Sequence, residues 1–172
     1  MTTRLWITTT CSQCGKDSEH IMIGSTSYIG RSDLDLRPPR RARDTMDCWV
    51  QECSHCRFVA GDLEEEESGA ADVVAGEPWG QLLRHAAVPL HLRGQDRIPS
   101  RAGLMNVFQR RVLLDQRAGN HKAAAQRALH AAWAADDSET PQAARDRRRE
   151  AAALFAGVLA AGTEFTAEER PN

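Results

Sequence analysis

Two Cys-x-x-Cys pairs, Cys11-Ser12-Gln13-Cys14 and Cys53-Ser54-His55-Cys56, constrain this chain more than any other feature. In each pair the two intervening residues turn the backbone so that both sulfurs can point at one centre, and two such turns supply a tetrahedral set of four thiolates. Only 5% of the chain is aromatic, so a β-rich stretch over residues 1–61 buries too little surface to hold itself together unaided. Metal binding contributes on the order of 10 kcal/mol to small folds of this kind. One structural zinc ion held by Cys11, Cys14, Cys53 and Cys56 is therefore the expected cofactor. A redox pair would sit beside a βαβ pattern, and neither pair does. A catalytic zinc needs an open coordination position, and four thiolates leave none. His55, inside the second turn, is expected to point away from the metal, and His20 could act as a ligand only by displacing a cysteine. Cys48 stands five residues before Cys53 and is expected to be a buried free thiol rather than a ligand.

The organisation along the chain predicts an α+β protein. Residues 1–61 read as a zinc ribbon with short antiparallel strands at Leu5–Thr9, His20–Gly24 and Trp49–Gln51, punctuated by Gly15, Gly24, Gly30, Pro38 and Pro39. Residues 62–76 read as an acidic linker, since four consecutive glutamates repel one another and Gly69 and Gly76 interrupt helix continuity. Residues 77–172 read as a helical domain. Trp79, Leu82, Leu83 and Ala86 share one face of a short helix that Pro89 ends. A second helix is expected from a Ser100 cap to Ala118, with Leu104, Phe108 and Val112 on one stripe and Gly119 at its end. Asn120 is expected to cap a third, with Ala125, Ala128, Leu129, Ala132 and Trp133 inward. The last opens at Thr140 and Pro141, carries Ala151, Leu154, Phe155, Val158 and Leu159 inward and ends at Gly162. Connections this short make neighbouring helices antiparallel.

The insert between the cysteine pairs holds Ser32-Asp33-Leu34-Asp35-Leu36-Arg37-Pro38-Pro39. Asp33 and Asp35 fall on one side of an extended strand, where two carboxylates could bind a hard cation or act as acid and base. The plainer reading, which the sequence favours, is a loop pinned by contacts to Arg31 or Arg37. Arg37, Arg40, Arg41 and Arg43 form a basic cluster suited to phosphate. Asp44 and Asp47 follow at once, and Tyr28 is the one aromatic nearby, at some distance, so base stacking has little support.

The stretches TTTCSQCGK, STSYIGRSDLDLRPP, CWVQECSHCRFVAGDL and ALHAAWAADD resemble a group of uncharacterised bacterial proteins and together span most of the chain. The resemblance implies a double Cys-x-x-Cys zinc ribbon followed by tetratricopeptide-like helices, with Cys11, Cys14, Cys53 and Cys56 as metal ligands. It implies no activity. The chain departs from that pattern at Ser54, where Pro is common, and at Arg57, where Gly is common, which predicts a less regular second turn. The tetratricopeptide likeness of residues 100–162 lies in helix spacing alone, because the Trp-Leu-Gly-Tyr signature of a first repeat helix is missing.

A net charge of −2 creates no field drawing the chain to nucleic acid or membrane. No apolar run reaches the roughly 18 residues of a membrane span, and the opening MTTRLWITTT lacks a signal-peptide core, so a cytoplasmic setting with reduced thiols is expected, while a bacterial source is what the resemblance implies. The favoured function is a structural-zinc module that docks a protein partner. The alternatives are a nucleic-acid-binding ribbon using the Arg37–Arg43 loop and an enzyme centred on Asp33 and Asp35 with a histidine such as His55. No Ser-His-Asp signature, phosphate-cradling glycine loop or HExxH motif supports the enzyme.

Overall fold

The computed structural model describes residues 2–27, 29–84, 101–138 and 141–162. It is an α+β fold in which two small antiparallel sheets precede the main helices. Strand β1 (Thr3–Thr10) pairs antiparallel with β2 (Asp17–Ser25), with Leu5 opposite Met22 and Thr9 opposite Ser18. A short helix α1 (Arg40–Arg43) and a 3₁₀ turn (Met46–Cys48) lead into β3 (Gln51–Glu52), which pairs with β4 (Val59–Ala60). The helices α2 (Ala70–Val74), α3 (Glu77–Arg84), α4 (Arg101–Arg117), α5 (His121–Asp137) and α6 (Pro141–Ala160) follow. Two of the three expected strands form over longer spans than expected. The third starts only at Gln51, because Trp49 follows directly on the 3₁₀ turn.

The expected helix boundaries hold where they can be seen. Gly119 adopts φ +75°, the Asn120 N–H donates to the Asp115 carbonyl at 2.8 Å and the Gly119 N–H to the Gln116 carbonyl at 3.1 Å. This left-handed cap satisfies carbonyls the helix end leaves over and reverses the chain into α5. Asn120 stands at the cap position of α5 but makes no side-chain capping bond. Pro141 is the first residue of α6, and Gly162, at φ +70°, ends it. Ala86, Pro89, Ser100, Thr140 and Tyr28 lie outside the described residues.

α5 packs against both α4 and α6, which explains its composition. Ala124, Ala125, Ala128, Ala131, Ala132, Ala134 and Ala135 are all buried, and a helix with neighbours on two sides can approach both only if its side chains are small. On α6 the buried residues are Ala144, Ala151 and Val158, spaced by seven. Leu154 and Phe155 pack at the margin. Leu159, expected inward, is 63% exposed, because it lies about 100° round the helix from Val158, beyond the reach of α5.

A single cluster of buried residues runs from the β-rich part into the helices, joining Cys11, Val50, Cys53, Phe58, Val59 and Leu63 to Trp79, Leu104, Phe108 and Trp133. The acidic stretch 62–76, expected as a linker, carries α2, buries Leu63 and Ala70 and sends Glu67 to Arg111. Trp133 is 2% exposed, and its Nε1 donates to Asp35 Oδ2 at 3.3 Å. Beside it the His130 ring lies between Trp49 at 4.9 Å and Phe108 at 5.3 Å, and burial lowers its pKa.

Trp133→Ala should cost about 3–5 kcal/mol, the range for deleting a core aromatic, read as a shift in the denaturant midpoint. Trp133→Phe keeps most of the packing and loses the bond to Asp35, so it should cost about 1 kcal/mol.

Candidate metal centre

Cys11 follows β1 and Cys53 follows β3, so each pair begins where a strand stops and the backbone is free to turn. The two turns have the same hydrogen bonds. In the first, the Cys11 N–H donates to the Lys16 carbonyl at 3.0 Å and the Gly15 N–H to the Cys11 carbonyl at 2.8 Å. In the second, the Cys53 N–H donates to the Phe58 carbonyl at 2.8 Å and the Arg57 N–H to the Cys53 carbonyl at 3.0 Å. Gly15 and Arg57 close these turns in the left-handed region, at φ +66° and +68°. The less regular second turn expected from Arg57 is therefore not found. Arg57 takes the conformation glycine favours, and its guanidinium pairs with Glu52 at 2.6 Å.

The four sulfurs lie within 4.8 Å of one another. Cys11 Sγ and Cys56 Sγ are 3.7 Å apart, as are Cys14 Sγ and Cys53 Sγ. These separations are far longer than the ~2.05 Å of a disulfide. Cys11 and Cys53 are buried and Cys14 and Cys56 half-buried. Burial raises the Cys11 and Cys56 thiols. At Cys53 burial acts in the same direction, but N–H groups of Cys56 and His55 aimed at the sulfur bring it below its usual value. The cluster thus favours either a cation or retained protons over four bare thiolates.

His55 turns outward and its Nε2 meets the Asp17 carbonyl at 3.0 Å. His20 is buried on β2 with Nε2 2.8 Å from Ser18 Oγ. Neither joins the sulfur cluster. Cys48 stands apart from it and is half-buried rather than fully buried. Burial, reinforced by Asp47, pushes its thiol up to about 11.

The insert loop is held by ion pairs. Asp33 takes the Arg37 Nε at 2.8 Å and the Arg37 N–H at 2.9 Å, so Arg37 pins the loop as the sequence suggests. Asp35 accepts from Arg148 of α6 at 2.6 Å, and Arg148 also reaches Asp136 at 2.6 Å. Arg37 extends to Asp136 at 3.3 Å, and Arg43 lies 3.5 Å from Asp137. Arg40 and Arg41 are exposed.

Two residues that matter here were not singled out from the sequence. Arg110, fully buried on α4, donates to the Arg57 carbonyl at 2.8 Å and to Glu52 at 2.6 Å. Its guanidinium lies 5.4 Å from the centre of the Trp79 ring. Arg111 reaches the Val59 carbonyl at 3.3 Å, Asp115 at 2.5 Å and Glu67. The available signal was two adjacent arginines between Phe108 and Val112, inside an apolar stripe. Family models, curated proteins and solved structures provide no match to this chain.

Gly15→Ala has room for its Cβ but must hold a left-handed φ, so it should destabilise the fold by about 1–2 kcal/mol. Gly61→Ala, also in open space and without a positive φ, should leave the melting temperature unchanged. At pH 8 the high Cys48 pKa keeps its thiolate fraction about 100-fold below that of a thiol titrating at 9.0. Timed iodoacetamide labelling read by peptide mass should show Cys48 reacting slower than a free cysteine peptide by about that factor.

Proposed function

We propose that the chain is a structural-zinc protein whose ribbon and helices form a scaffold that docks a protein partner. Zinc is supported by the donor set, since four thiolates in closed tetrahedral array suit zinc or iron rather than hard cations. A Zn–S bond of ~2.3 Å gives sulfur–sulfur edges of about 3.8 Å, close to the observed 3.7 Å. Cys11, Cys14, Cys53 and Cys56 would hold the ion, leaving no position for water or substrate. Its role would be to fix both turns on the core.

One observation carries the docking role. The β1–β2 hairpin exposes Leu5 at 53%, Trp6 at 43% and Met22 at 46%, apolar surface on both faces of one ribbon anchored at the metal end. Exposed aromatic and methionine side chains on a rigid base fit protein recognition. The antiparallel helices α4–α6 give the tetratricopeptide-like reading its support, as a firm support for the ribbon. No helix among the described residues is long and apolar enough to cross a membrane. The other two readings have less to stand on. Arg37 and Arg43 are turned toward Asp136 and Asp137 rather than free for phosphate, and Asp33 and Asp35 face arginines.

Metal analysis after chelator-free purification should find one zinc per chain, and Cys11→Ser should lose it and unfold the β-rich part while Cys48→Ser keeps it. Iron, or no metal, would remove the zinc assignment. Capture from the native cell should enrich a partner that a Leu5→Ser, Met22→Ser double variant with full metal content no longer holds. Capture indifferent to those substitutions would count against the hairpin as the docking surface.

A further inference from the structure

Among the described residues the hairpin has one open edge, and we propose that β1 pairs there with β1 of a second copy of this chain, forming a four-stranded sheet. This rests on the hairpin as docking surface and names its occupant. Among the described residues β1 pairs only with β2. The other side of the hairpin is occupied, since β2 also packs against the 3₁₀ turn and β3.

The backbone of β1 suits a strand as occupant. The Cys11 N–H bonds the Lys16 carbonyl, which makes that opposed pair a hydrogen-bonded one. Antiparallel pairs alternate, so the register puts Thr9 with Ser18, Ile7 with His20 and Leu5 with Met22 in the bonded set. The N–H and C=O groups of Arg4, Trp6, Thr8 and Thr10 then point outward, and among the described residues none of these makes a backbone bond beyond the hairpin. Such a row is satisfied by an added extended strand. β1 also lacks the usual guards of an open edge, with no Lys, Pro or Gly within Thr3–Thr10.

A neutral edge whose register is complementary to itself points to a second copy as the occupant. The only charged residue of β1 is Arg4, and its guanidinium is already held by Asp47 and the Asp44 carbonyl. The edge therefore has no free charge to attract an acidic or basic strand, and pairing with itself opposes no like charges. The outward set fixes the parity of the register. Centred on Trp6, it places Trp6 against Trp6 of the partner subunit, Arg4 against Thr8 of the partner subunit and Leu5 against Ile7 of the partner subunit. Cross-strand aromatic and aliphatic pairs of this kind favour antiparallel association, and they cover the exposed Leu5 and Trp6.

The test is the solution mass of the metal-loaded full chain by light scattering across a concentration series. The wild type should approach twice the 19.0 kDa of the monomer. Thr8→Pro removes an outward N–H at a position an edge strand tolerates, and Trp6→Lys opposes two charges on the two-fold axis. Both should stay at 19.0 kDa with full metal content, and mixing Trp6→Lys with Trp6→Glu should restore the doubled mass. A wild type that remains monomeric at its highest soluble concentration overturns the proposal, as does a dimer that survives both substitutions. A monomer that still captures another protein through Leu5 and Met22 overturns self-pairing alone and leaves the docking reading standing.

Discussion

The buried guanidinium of Arg110 joins the two halves of this protein. It leaves α4 with no exposed surface and reaches the Arg57 carbonyl and Glu52, the residues that close and flank the second cysteine turn. Burial lowers its pKa, and the Glu52 carboxylate offsets only part of that shift. A charge in such a place is tolerable only when paired, and breaking a pair of this kind typically costs about 3–5 kcal/mol. The arrangement is therefore conditional in both directions. The turn needs α4 to satisfy its carbonyl, and α4 needs the turn to neutralise its arginine. Trp79 covers the guanidinium from α3, so the first helix after the acidic stretch also depends on the same contact.

A second set of charges performs a similar task at the other end. Asp35 from the insert and Asp136 from α5 converge on Arg148 of α6, while Arg37 and Arg43 reach back to Asp136 and Asp137. The bond from Trp133 to Asp35 brings this network to the edge of the apolar core. The insert is thereby held at its ends by the cysteine turns and in its middle by the helices. Leu34 is left fully exposed and Leu36 nearly half exposed, as expected of a loop whose position is set by its carboxylates rather than by its leucines.

The strands and helices legible in the sequence were those with local causes. Short strand-forming runs punctuated by glycine marked β1 and β2, and Gly119 marked a helix end because only a residue tolerant of positive φ closes that cap cheaply. The clustering of Cys11, Cys14, Cys53 and Cys56 followed from spacing. What was not legible depended on partners distant in sequence. The burial of Arg110 and Arg111 requires Glu52 and Glu67, more than 40 residues away, and no periodicity reports that. The acidic stretch read as a linker because four glutamates look solvated, yet Leu63 beside them is fully buried and its carbonyl accepts from the Ser12 N–H at 2.8 Å. Leu159 misled because its chemistry suits a core whose boundary falls one residue earlier.

The equivalence of the two cysteine turns shows which demand is met first. Left-handed backbone at a non-glycine residue costs about 1–2 kcal/mol, and Arg57 nevertheless takes φ +68° beside the +66° of Gly15. A relaxed φ at Arg57 would redirect the chain that follows it, carrying the Phe58 carbonyl away from the Cys53 N–H and β4 away from β3. The strain is offset locally, because the same backbone puts the Arg57 side chain on Glu52 and presents the Arg57 carbonyl to Arg110. Glycine there would relax the turn but surrender the side-chain contact with Glu52. The second turn thus exchanges conformational ease for attachment to the helices. The first turn, closed by exposed Gly15 with nothing within 4 Å of a Cβ, has no comparable contact to gain, so glycine suffices.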